Sequence, residues 1–452
     1  KTPSFIEDHI SQIPALQLLI NMGYQYVSPA DALHARMGKT ANVLLETVLR
    51  KQLKEINSIR LSSTKTSIFS DSNIEAGIHA LKEIPLVDGY IAATETVYNL
   101  LTLGKTFEQS IDGDKKSFTL HYIDWKNPKN NVFHVTEEYA VMRAGSKKHH
   151  IPDLVLFING IPLCIIECKR PDSKEPIKQA ISQHLRNQQE DGVRGLYMYA
   201  QCLLSISVNE GRYATNGTPI NFWAHWEEKF SSQESEVNYK LYLEKLKNTP
   251  LPNAVKKELF TERFRYVRTY FDILEKEHLL PTPQDVYLYS LCRPERLMEF
   301  TFNYIIYDEG AKKIARYQQY YAIKKAMTQL RQLDGGKRTG GVIWHTQGSG
   351  KSLTMVMLAE AIALESTIPN PKIVLVTDRT DLDSQITETF RKCGMAVNNA
   401  KTGRQLAELL QSNSDAVITT IINKFETAVK KLPKPLDPCL KRTKTRWQSL
   451  EP

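Results

Sequence analysis

Hydrophobic and polar positions divide the 452-residue chain into three stretches with different periodicities. Residues 1–240 mix short helical patterns with hairpin-like strands, and residues 241–300 are charged and helical in pattern. Residues 301–452 follow the order of a parallel α/β sheet, with a strand, a glycine-rich loop, a helix and further strands. The predicted fold class is therefore α/β. An N-terminal α/β domain, a helical connector and an incomplete parallel lobe are expected over these three stretches.

Apolar residues near the N-terminus recur at helical spacing and predict a first helix. These residues are Phe5, Ile6, Ile10, Ile13, Leu16, Leu19 and Ile20. Pro14 lies among them, and its missing N–H predicts that this helix is kinked or split.

Composition and charge narrow the class of protein. No apolar run reaches membrane-spanning length and no signal peptide is visible, so a soluble, cytoplasmic protein is expected. The six cysteines form no CxxC pair, which indicates reduced thiols rather than a structural zinc site. The net charge of +9 suits a polyanionic partner such as DNA, and it equally suits solubility alone.

One segment, "PDLVLFINGIPLCIIECKRP", carries a candidate catalytic set. The pattern predicts a strand over Leu154–Ile158, a tight turn at Asn159-Gly160 and a return strand ending at Lys169. Glu167 and Lys169 then share one face of the sheet, and the hairpin brings Asp153 beside them. Two carboxylates can hold Mg²⁺ while a lysine positions the attacking water of phosphodiester hydrolysis. A surface hairpin with a cross-strand ion pair is the alternative.

A second segment, "GGVIWHTQGSGKSLTMVMLAEAIAL", has the features of a phosphate-binding loop. A short strand is predicted over Val342–Trp344 and a helix from Ser352 to Leu364. Lys351 is expected to reach the β- and γ-phosphates, and the Ser352 hydroxyl to bind Mg²⁺. The first position, usually glycine, is His345. The predicted ATP-binding residues of this loop are Thr346, Gln347, Gly348, Ser349, Gly350, Lys351 and Ser352.

These motifs together resemble a known family. The D…ExK segment is similar to that of PD-(D/E)xK nucleases, and "HTQGSGKS", "DRTDLDSQ" and "TTIINKF" resemble a superfamily-2 translocase. In this order they resemble the restriction (R) subunit of type I restriction–modification enzymes. The resemblance implies a restriction-endonuclease-like domain over 1–240 and a first RecA-like motor lobe over 301–452.

The resemblance also implies an activity, cofactors and partners. Its family uses ATP and Mg²⁺ to translocate duplex DNA and to cleave unmodified DNA away from the recognition site. The implied partners are double-stranded DNA and the methyltransferase (modification) and specificity subunits. No acidic Walker B run of the DEAH kind and no second motor lobe are visible, so the chain is expected to bind ATP better than it hydrolyses it.

Further residues of the nuclease domain acquire expected roles from the resemblance. Gln183 is an accessory candidate, although Asn187 stands where the related subclass has a tyrosine. Glu7 can match a first-helix glutamate, with a solvated helix face as the preferred interpretation. The run Lys147–His150 can hold a DNA phosphate or form a solvated turn, and its histidines are poorer candidates for metal ligands.

In the motor lobe, Gln319 is the expected adenine-reading residue, and neighbouring Gln318 remains an alternative. Asp378, Arg379 and Thr420 are expected along the DNA track, with strand-end capping as the alternative. Two other functions stay open for the chain as a whole. One is another nuclease–translocase such as a type III restriction subunit, although that class usually places the nuclease after the motor. The other is a non-catalytic DNA-binding or docking protein.

Overall fold

The computed structural model describes residues 7, 11–61, 65–111, 113–261, 263–412, 416–424, 427–428 and 430. The described residues form two compact units. The N-terminal unit comprises those of residues 1–305 and 310–317, and the C-terminal unit comprises those of residues 306–309 and 318–452.

The N-terminal unit is mixed α/β. Its helices are α1 (Ile13–Asn21), α2 (Pro29–Ala35), α3 (Glu46–Ile56), α4 (Asp71–Lys82), α5 (Tyr90–Leu103), α6 (Pro176–Asn187), α7 (Arg194–Tyr197), α8 (Gln233–Lys247), α9 (Asn253–Leu259), α10 (Arg268–Leu274), α11 (Pro283–Cys292) and α12 (Pro294–Asn303). Its strands are β1 (Gln25–Tyr26), β2 (Ser58–Arg60), β3 (Thr66–Ile68), β4 (Lys105–Ile111), β5 (Asp114–Leu120), β6 (Phe133–Glu137), β7 (Val141–Met142), β8 (His149–His150), β9 (Leu154–Ile158), β10 (Ile161–Lys169), β11 (Cys202–Ser207) and β12 (Glu210–Ala214). Strands β13 (Ile305–Asp308) and β14 (Ala311–Ile314) follow α12 in the chain.

A six-stranded mixed sheet forms the centre of this unit, in the order β1-β6-β9-β10-β11-β12. Strand β1 is parallel to β6, and β10 is parallel to β11, while the other neighbours are antiparallel. Every residue of β9 is buried, as is every residue of β10 before Lys169. Strands that are buried on both faces of a sheet have nearly continuous apolar sequences, because neither face is left to solvent.

The hairpin between β9 and β10 has the form that its sequence predicts. Asn159 and Gly160 both have positive φ, at 52° and 83°, as a two-residue turn of type I′ requires. The Asn159 amide also donates to the carbonyl of Tyr122 at 3.0 Å and to Asn131 Oδ1 at 2.8 Å. The turn therefore fixes the register of the two strands that carry the candidate catalytic residues.

Helix α6 connects β10 to β11 and packs against both strands. Two parallel neighbours need such a crossover, because a tight turn cannot join them. The pairing places Glu167 opposite Ser205 and Lys169 opposite Ser207. Residues on two different strands therefore share one face of the sheet beneath α6.

Helix α1 spans Ile13–Asn21 with Pro14 in its first turn, and the backbone at Ser11 and Gln12 just before it is π-helical. The regular α-helical pattern is therefore interrupted next to the proline, in line with the predicted kink or split. Phe5, Ile6 and Ile10, which belong to the same predicted pattern, lie outside the described residues. Helix α1 packs against α8 and α11. Helices from the stretch 241–300, predicted to be a connector, thus lie within the N-terminal unit.

The C-terminal unit is an α/β layer. Its elements are α13 (Tyr317–Arg331), β15 (Leu333–Asp334), β16 (Lys337–Arg338), α14 (Lys351–Ala363), β17 (Val374–Thr377), α15 (Thr380–Lys392), β18 (Val397–Asn399), α16 (Gly403–Gln411) and β19 (Val417–Ile421). Strands β17, β19 and β18 form an all-parallel sheet in that order. Its buried centre comprises Ala400, Leu406, Ala407, Ile418 and Ala428.

The prediction of a strand over Val342–Trp344 is wrong for this structure. These residues have no regular secondary structure, and Val342 and Trp344 are 84% and 88% exposed. Among the described residues no strand lies beside them, so an extended backbone here would have no hydrogen-bonding partner. Helix α14 begins at Lys351, one residue before its predicted start. No described helix combines the length and apolar character needed to cross a bilayer.

Candidate active site

Asp153, at the start of β9, is held against the middle of the ExK segment. Its Oδ2 accepts a hydrogen bond from the backbone N–H of Cys168 at 2.7 Å. Its own carbonyl accepts from the Gln12 side chain at 3.2 Å. Because Cys168 lies between Glu167 and Lys169, this bond fixes the Asp153 carboxylate beside both.

Lys169 lies between two carboxylates. Its Nζ is 3.7 Å from Asp153 Oδ2 and 3.8 Å from Glu7 Oε1, and it donates to the Cys168 carbonyl at 2.8 Å. Burial lowers the pKa of Lys169, but Asp153, Glu167 and Glu7 more than offset this, so its pKa is raised. The ammonium therefore stays charged within the site. The preferred interpretation of Glu7 as a solvated helix face is not what the structure shows, since its side chain is 29% exposed and lies near Lys169.

Glu167 is fully buried, and neither of its carboxylate oxygens accepts a hydrogen bond from a protein N–H or O–H donor. Its nearest polar neighbours are the Asp153 carboxyl and His150. Burial raises the pKa of Glu167 to about 8. Burial, followed by the charge of Glu167, raises the pKa of Asp153 to about 7. Two carboxylates side by side, one fully buried and one largely buried, are costly to ionise unless a cation compensates them. This pair therefore has the electrostatics of a cation-binding site.

His150 reaches the same carboxylate from β8. Its Nε2 is 3.4 Å from Glu167 Oε1 and 2.8 Å from Asn187 Nδ2. Burial lowers the pKa of His150 to about 4, so the imidazole is neutral at pH 7. Neighbouring His149 faces the other way and bonds the Thr40 hydroxyl at 3.0 Å. Within the run Lys147–His150, His150 is the residue that contacts Glu167. Asn187, which stands where the related subclass has a tyrosine, contacts His150.

A groove of about 620 Å³ opens beside Lys169. Side chains of α6 and the loop before it line this groove at helical spacing: Lys174, Lys178, Gln179, Ser182, Gln183 and Arg186. The predicted accessory residue Gln183 is one of them. Glu175, paired with Lys178, is the acidic residue of the lining. The groove is therefore polar and mainly basic, which suits a polyanion.

Two residues that the sequence analysis did not identify lie beside the ExK pair. Ser205 and Ser207 on β11 are the registered partners of Glu167 and Lys169, and they are 0% and 1% exposed. Neither hydroxyl has a hydrogen-bond partner. The signal was the alternation in "CLLSIS", where two small polar residues two apart interrupt a buried strand.

The two carboxylates of Asp153 and Glu167 suit Mg²⁺, which keeps bound water, better than a metal ion whose ligands are all protein side chains. Within the described residues, no three His, Cys, Asp or Glu side chains form a metal-binding group. Mg²⁺ characteristically uses one or two carboxylates and keeps several waters. Asp153 and the unpartnered oxygens of Glu167 supply such a pair.

In the C-terminal unit, the loop His345–Gly350 leads into the first turn of α14. Gly348 and Gly350 have φ of 76° and 85°, a region that favours glycine. Gln319 Nε2 donates to the Gly350 carbonyl at 3.3 Å, and a Cβ on Gly350 would lie 2.8 Å from that nitrogen. Gln319 is 5% exposed, whereas Gln318 is exposed. Gln319 is thus the glutamine that contacts the loop.

The loop is closed on itself by side-chain hydrogen bonds. His345 Nδ1 lies 3.1 Å from Ser349 Oγ, which donates to the Thr346 carbonyl at 2.7 Å. Histidine at the position usually taken by glycine therefore has a structural contact. Thr346, Gln347 and Gly348 are exposed, and Lys351 and Ser352 occupy the first positions of α14. The free backbone N–H groups at this helix end are suited to an anion.

The predicted DNA-track residues differ in accessibility. Asp378 and Arg379 are exposed in the loop before α15. Thr420 is fully buried within β19, opposite Val376, and its hydroxyl has no partner. As a central-strand residue covered on both faces, Thr420 does not reach the surface in this structure. The expectation that it lies along DNA is not met here.

Comparison with known proteins finds a family match in each of the two units. Residues 4–222 match the family of the type I restriction enzyme R protein N terminus, and residues 318–445 match the SWI2/SNF2 ATPase family. A putative type I restriction enzyme MjaIXP endonuclease subunit from Methanocaldococcus jannaschii is 28% identical over 93% of this chain and 37% of its own length.

Other relatives agree. The type I restriction enzyme HindI endonuclease subunit from Haemophilus influenzae is 28% identical over 93% of this chain and 36% of its own length. A putative MjaVIIP endonuclease subunit from M. jannaschii is 32% identical over 61% of this chain and 22% of its own length. The chain thus spans little more than a third of the length of the first two relatives. Over most of its length the chain is therefore similar to type I restriction enzyme endonuclease subunits, with an α/β unit matching the R protein N terminus followed by a unit matching SWI2/SNF2 ATPases.

Proposed function

We propose that this chain provides the DNA-cleaving site and the nucleotide-binding lobe of an ATP-dependent type I restriction endonuclease. Within that enzyme it translocates duplex DNA and hydrolyses phosphodiester bonds of unmodified DNA, with Mg²⁺, away from the recognition site. Its partners are double-stranded DNA and the methyltransferase and specificity subunits. The observation that supports this best is the placement of Asp153 and Lys169 about one buried, unpartnered carboxylate, Glu167.

The proposed chemistry follows from the positions of three side chains. Asp153 and Glu167 would hold Mg²⁺, which when bound would supply Lewis-acid polarisation of the phosphate and acidification of a water molecule. Lys169 keeps its positive charge between two carboxylates and donates hydrogen bonds to the attacking water or to a phosphate oxygen. Glu167 lies fully buried on a central strand of the sheet, so bulk solvent is excluded around it and each of these interactions is strengthened.

The basic groove beside Lys169 is the proposed approach for the scissile DNA strand. Lys178, Ser182 and Arg186 recur every four residues and so lie on one side of α6. Residues 178 and 186 are about 12 Å apart along a helix axis, a length that corresponds to about three to four phosphates of one strand measured along the duplex axis. Phosphate contacts of this kind fix the position of DNA without reading its sequence.

In the C-terminal unit, the loop Thr346–Ser352 is the proposed ATP site. Lys351 contacts the β- and γ-phosphates, Ser352 binds the accompanying Mg²⁺, and Gln319 contacts the adenine. The contact between Gln319 and Gly350 supports this role because it places the glutamine at the edge of the loop. Asp378 and Arg379 are proposed DNA contacts.

The test uses the complex assembled with modification and specificity subunits. Glu167→Ala is expected to lower DNA cleavage by about 10³-fold or more, because it removes one of very few cation ligands. ATP-driven translocation, followed by triplex displacement, is expected to stay normal, because Glu167 belongs to a different unit from Lys351. Glu190→Ala, which removes an 89% exposed carboxylate, is the matched control. Plasmid cleavage at the normal rate by Glu167→Ala would place the nuclease site elsewhere.

A further inference from the structure

The region between α6 and the sheet contains four buried oxygen atoms that receive no hydrogen bond from a protein N–H or O–H donor. They are both carboxylate oxygens of Glu167 and the hydroxyl oxygens of Ser205 and Ser207. Buried polar atoms in native proteins are nearly always hydrogen-bonded, and each exception needs a reason. Several such exceptions on one sheet face point to a shared bound group.

The strand register places these atoms together. Ser205 is opposite Glu167 and Ser207 is opposite Lys169 on the parallel pair β10–β11. Registered partners on neighbouring strands project to the same face, at a strand separation of about 4.8 Å. The two hydroxyls therefore line the same face as the proposed catalytic pair.

The chemistry of these groups indicates what they bind. An ionised carboxylate only accepts hydrogen bonds, and a serine hydroxyl has two lone pairs and one proton. A bare cation would satisfy Glu167 and leave the serines unpartnered. A cation that keeps part of its hydration shell satisfies both, because the carboxylate binds the ion while the water molecules donate to the hydroxyls.

We infer that Ser205 and Ser207 are positioning residues, which hold the hydration shell of the divalent cation bound by Asp153 and Glu167. This inference rests on the proposed nuclease function. It adds a third strand to the site, because the cation is then oriented from β11 as well as from the two strands of the β9–β10 hairpin. Lys169, the registered neighbour of Ser207, completes the polar face.

The inference predicts opposite effects on folding and on cation binding. A buried hydroxyl without a partner destabilises the fold, so its removal leaves stability unchanged or raised. Loss of a group that orients a metal's surroundings typically weakens metal affinity by about 10-fold or more. Ser205→Ala and Ser207→Ala are therefore expected to bind Mn²⁺ at least about 10-fold more weakly. Their melting temperatures in EDTA are expected to equal or exceed that of the wild type.

The experiment measures Mn²⁺ binding to the full chain without nucleotide, by electron paramagnetic resonance of the free ion. Glu167→Ala defines the part of the binding that belongs to this site. Thr215→Val is the matched control. It removes another fully buried, unpartnered hydroxyl, just after β12 and at the end of β11 remote from Ser207. This control is expected to leave Mn²⁺ affinity unchanged.

Each result decides the matter. Weaker Mn²⁺ binding with an undiminished melting temperature in EDTA supports the inference. Wild-type affinity in both serine variants overturns it and leaves the proposed nuclease site intact. A lower melting temperature in EDTA also overturns it, because the hydroxyls would then be stabilising the fold itself. Absence of any Glu167-dependent Mn²⁺ binding in the wild type would overturn both this inference and the proposed function.

Discussion

The carboxylate of Asp153 is bonded to the backbone N–H of Cys168, at 2.7 Å, across the β9–β10 hairpin. This hydrogen bond has two separate structural effects. It stabilises the hairpin by satisfying a buried N–H, and it directs the remaining carboxylate lone pairs toward Glu167 and Lys169. The two effects can be measured separately by comparing a substitution at Asp153 that keeps a hydrogen-bond acceptor with one that removes it.

Asp153→Asn and Asp153→Ala are expected to differ in stability and to agree in function. Asparagine keeps an oxygen that can accept from Cys168, whereas alanine leaves that N–H unpaired, at a cost of about 1–3 kcal/mol. Both substitutions remove the charge, so both are expected to abolish DNA cleavage. Urea unfolding in EDTA measures the first effect and plasmid cleavage by the assembled complex measures the second. Equal unfolding free energies would show that the hydrogen bond to Cys168 contributes little.

Stability without divalent cations is expected to depend on pH through Glu167. Its folded pKa of about 8 is above the ordinary value of 4.5, so the folded state holds the proton more tightly. That stabilisation is complete at low pH and is lost as pH rises from about 4.5 to about 8. Glu167→Gln lacks this dependence. In EDTA it is expected to melt at least about 2–4 °C above wild type at pH 8, and close to it at pH 4.5.

Glu190→Gln is the control for this pH series, since it neutralises a carboxylate that is 89% exposed. It is expected to follow the wild type at both pH values. Addition of Mg²⁺ at pH 8 is expected to stabilise the wild type more than Glu167→Gln. A Glu167→Gln variant that melts below wild type at pH 8 would contradict the burial of an uncompensated carboxylate.

DNA binding is expected to depend on the α6 side of the groove. The double substitution Lys178→Ala with Arg186→Ala removes two proposed phosphate contacts. Each phosphate contact contributes about 0.9 to the slope of log affinity against log salt concentration. Loss of two contacts is therefore expected to reduce the magnitude of that slope by about 1.8. Lys115→Ala with Lys116→Ala, on the exposed β4–β5 hairpin, makes the same charge change outside the groove. Equal salt slopes for the two double variants, measured by fluorescence anisotropy on duplex DNA, would argue against the groove.

Nucleotide binding is expected to depend on Lys351. Lys351→Ala removes a charged donor to the phosphates, and this loss corresponds to about 10- to 100-fold weaker binding of an ATP analogue. Lys337→Ala, an exposed lysine on β16 of the same unit, is the control. Isothermal titration measures both affinities, and unchanged affinity in Lys351→Ala would remove the loop from the ATP site. The Glu167-dependent Mn²⁺ binding of the N-terminal unit is expected to stay normal.

Several features of this protein are determined by short stretches of sequence. The Asn159-Gly160 turn, the strands Leu154–Ile158 and Ile161–Lys169, and the glycine-rich loop before α14 were all predicted and are present. Positive φ at two turn residues and side-chain alternation along a strand are local properties. The proximity of Asp153 to Lys169 follows from the same cause, because one tight hairpin carries both residues.

Other features depend on neighbours that are distant in the chain. Ser205 and Ser207 lie beside Glu167 and Lys169 only through the parallel register of β10 and β11, which the packing of α6 determines. His150 contacts Asn187 across the same face, from a strand for which the sequence left open a DNA-phosphate contact or a solvated turn. The register of two parallel strands has no local signal in the sequence. A shift of one strand by two residues keeps the same side chains on each face, and the long crossover between the strands can accommodate that shift.

The same reasoning explains the two expectations that the structure does not meet. Val342–Trp344 has the composition of a strand, yet an apolar run forms one only where a neighbouring strand accepts its hydrogen bonds. Thr420 has a polar side chain at a strand end, yet its exposure depends on how β19 is covered by its neighbours. The composition and residue spacing of a segment determine which secondary structure it can form. Its burial and its strand pairing depend on the positions of the other segments in the folded protein.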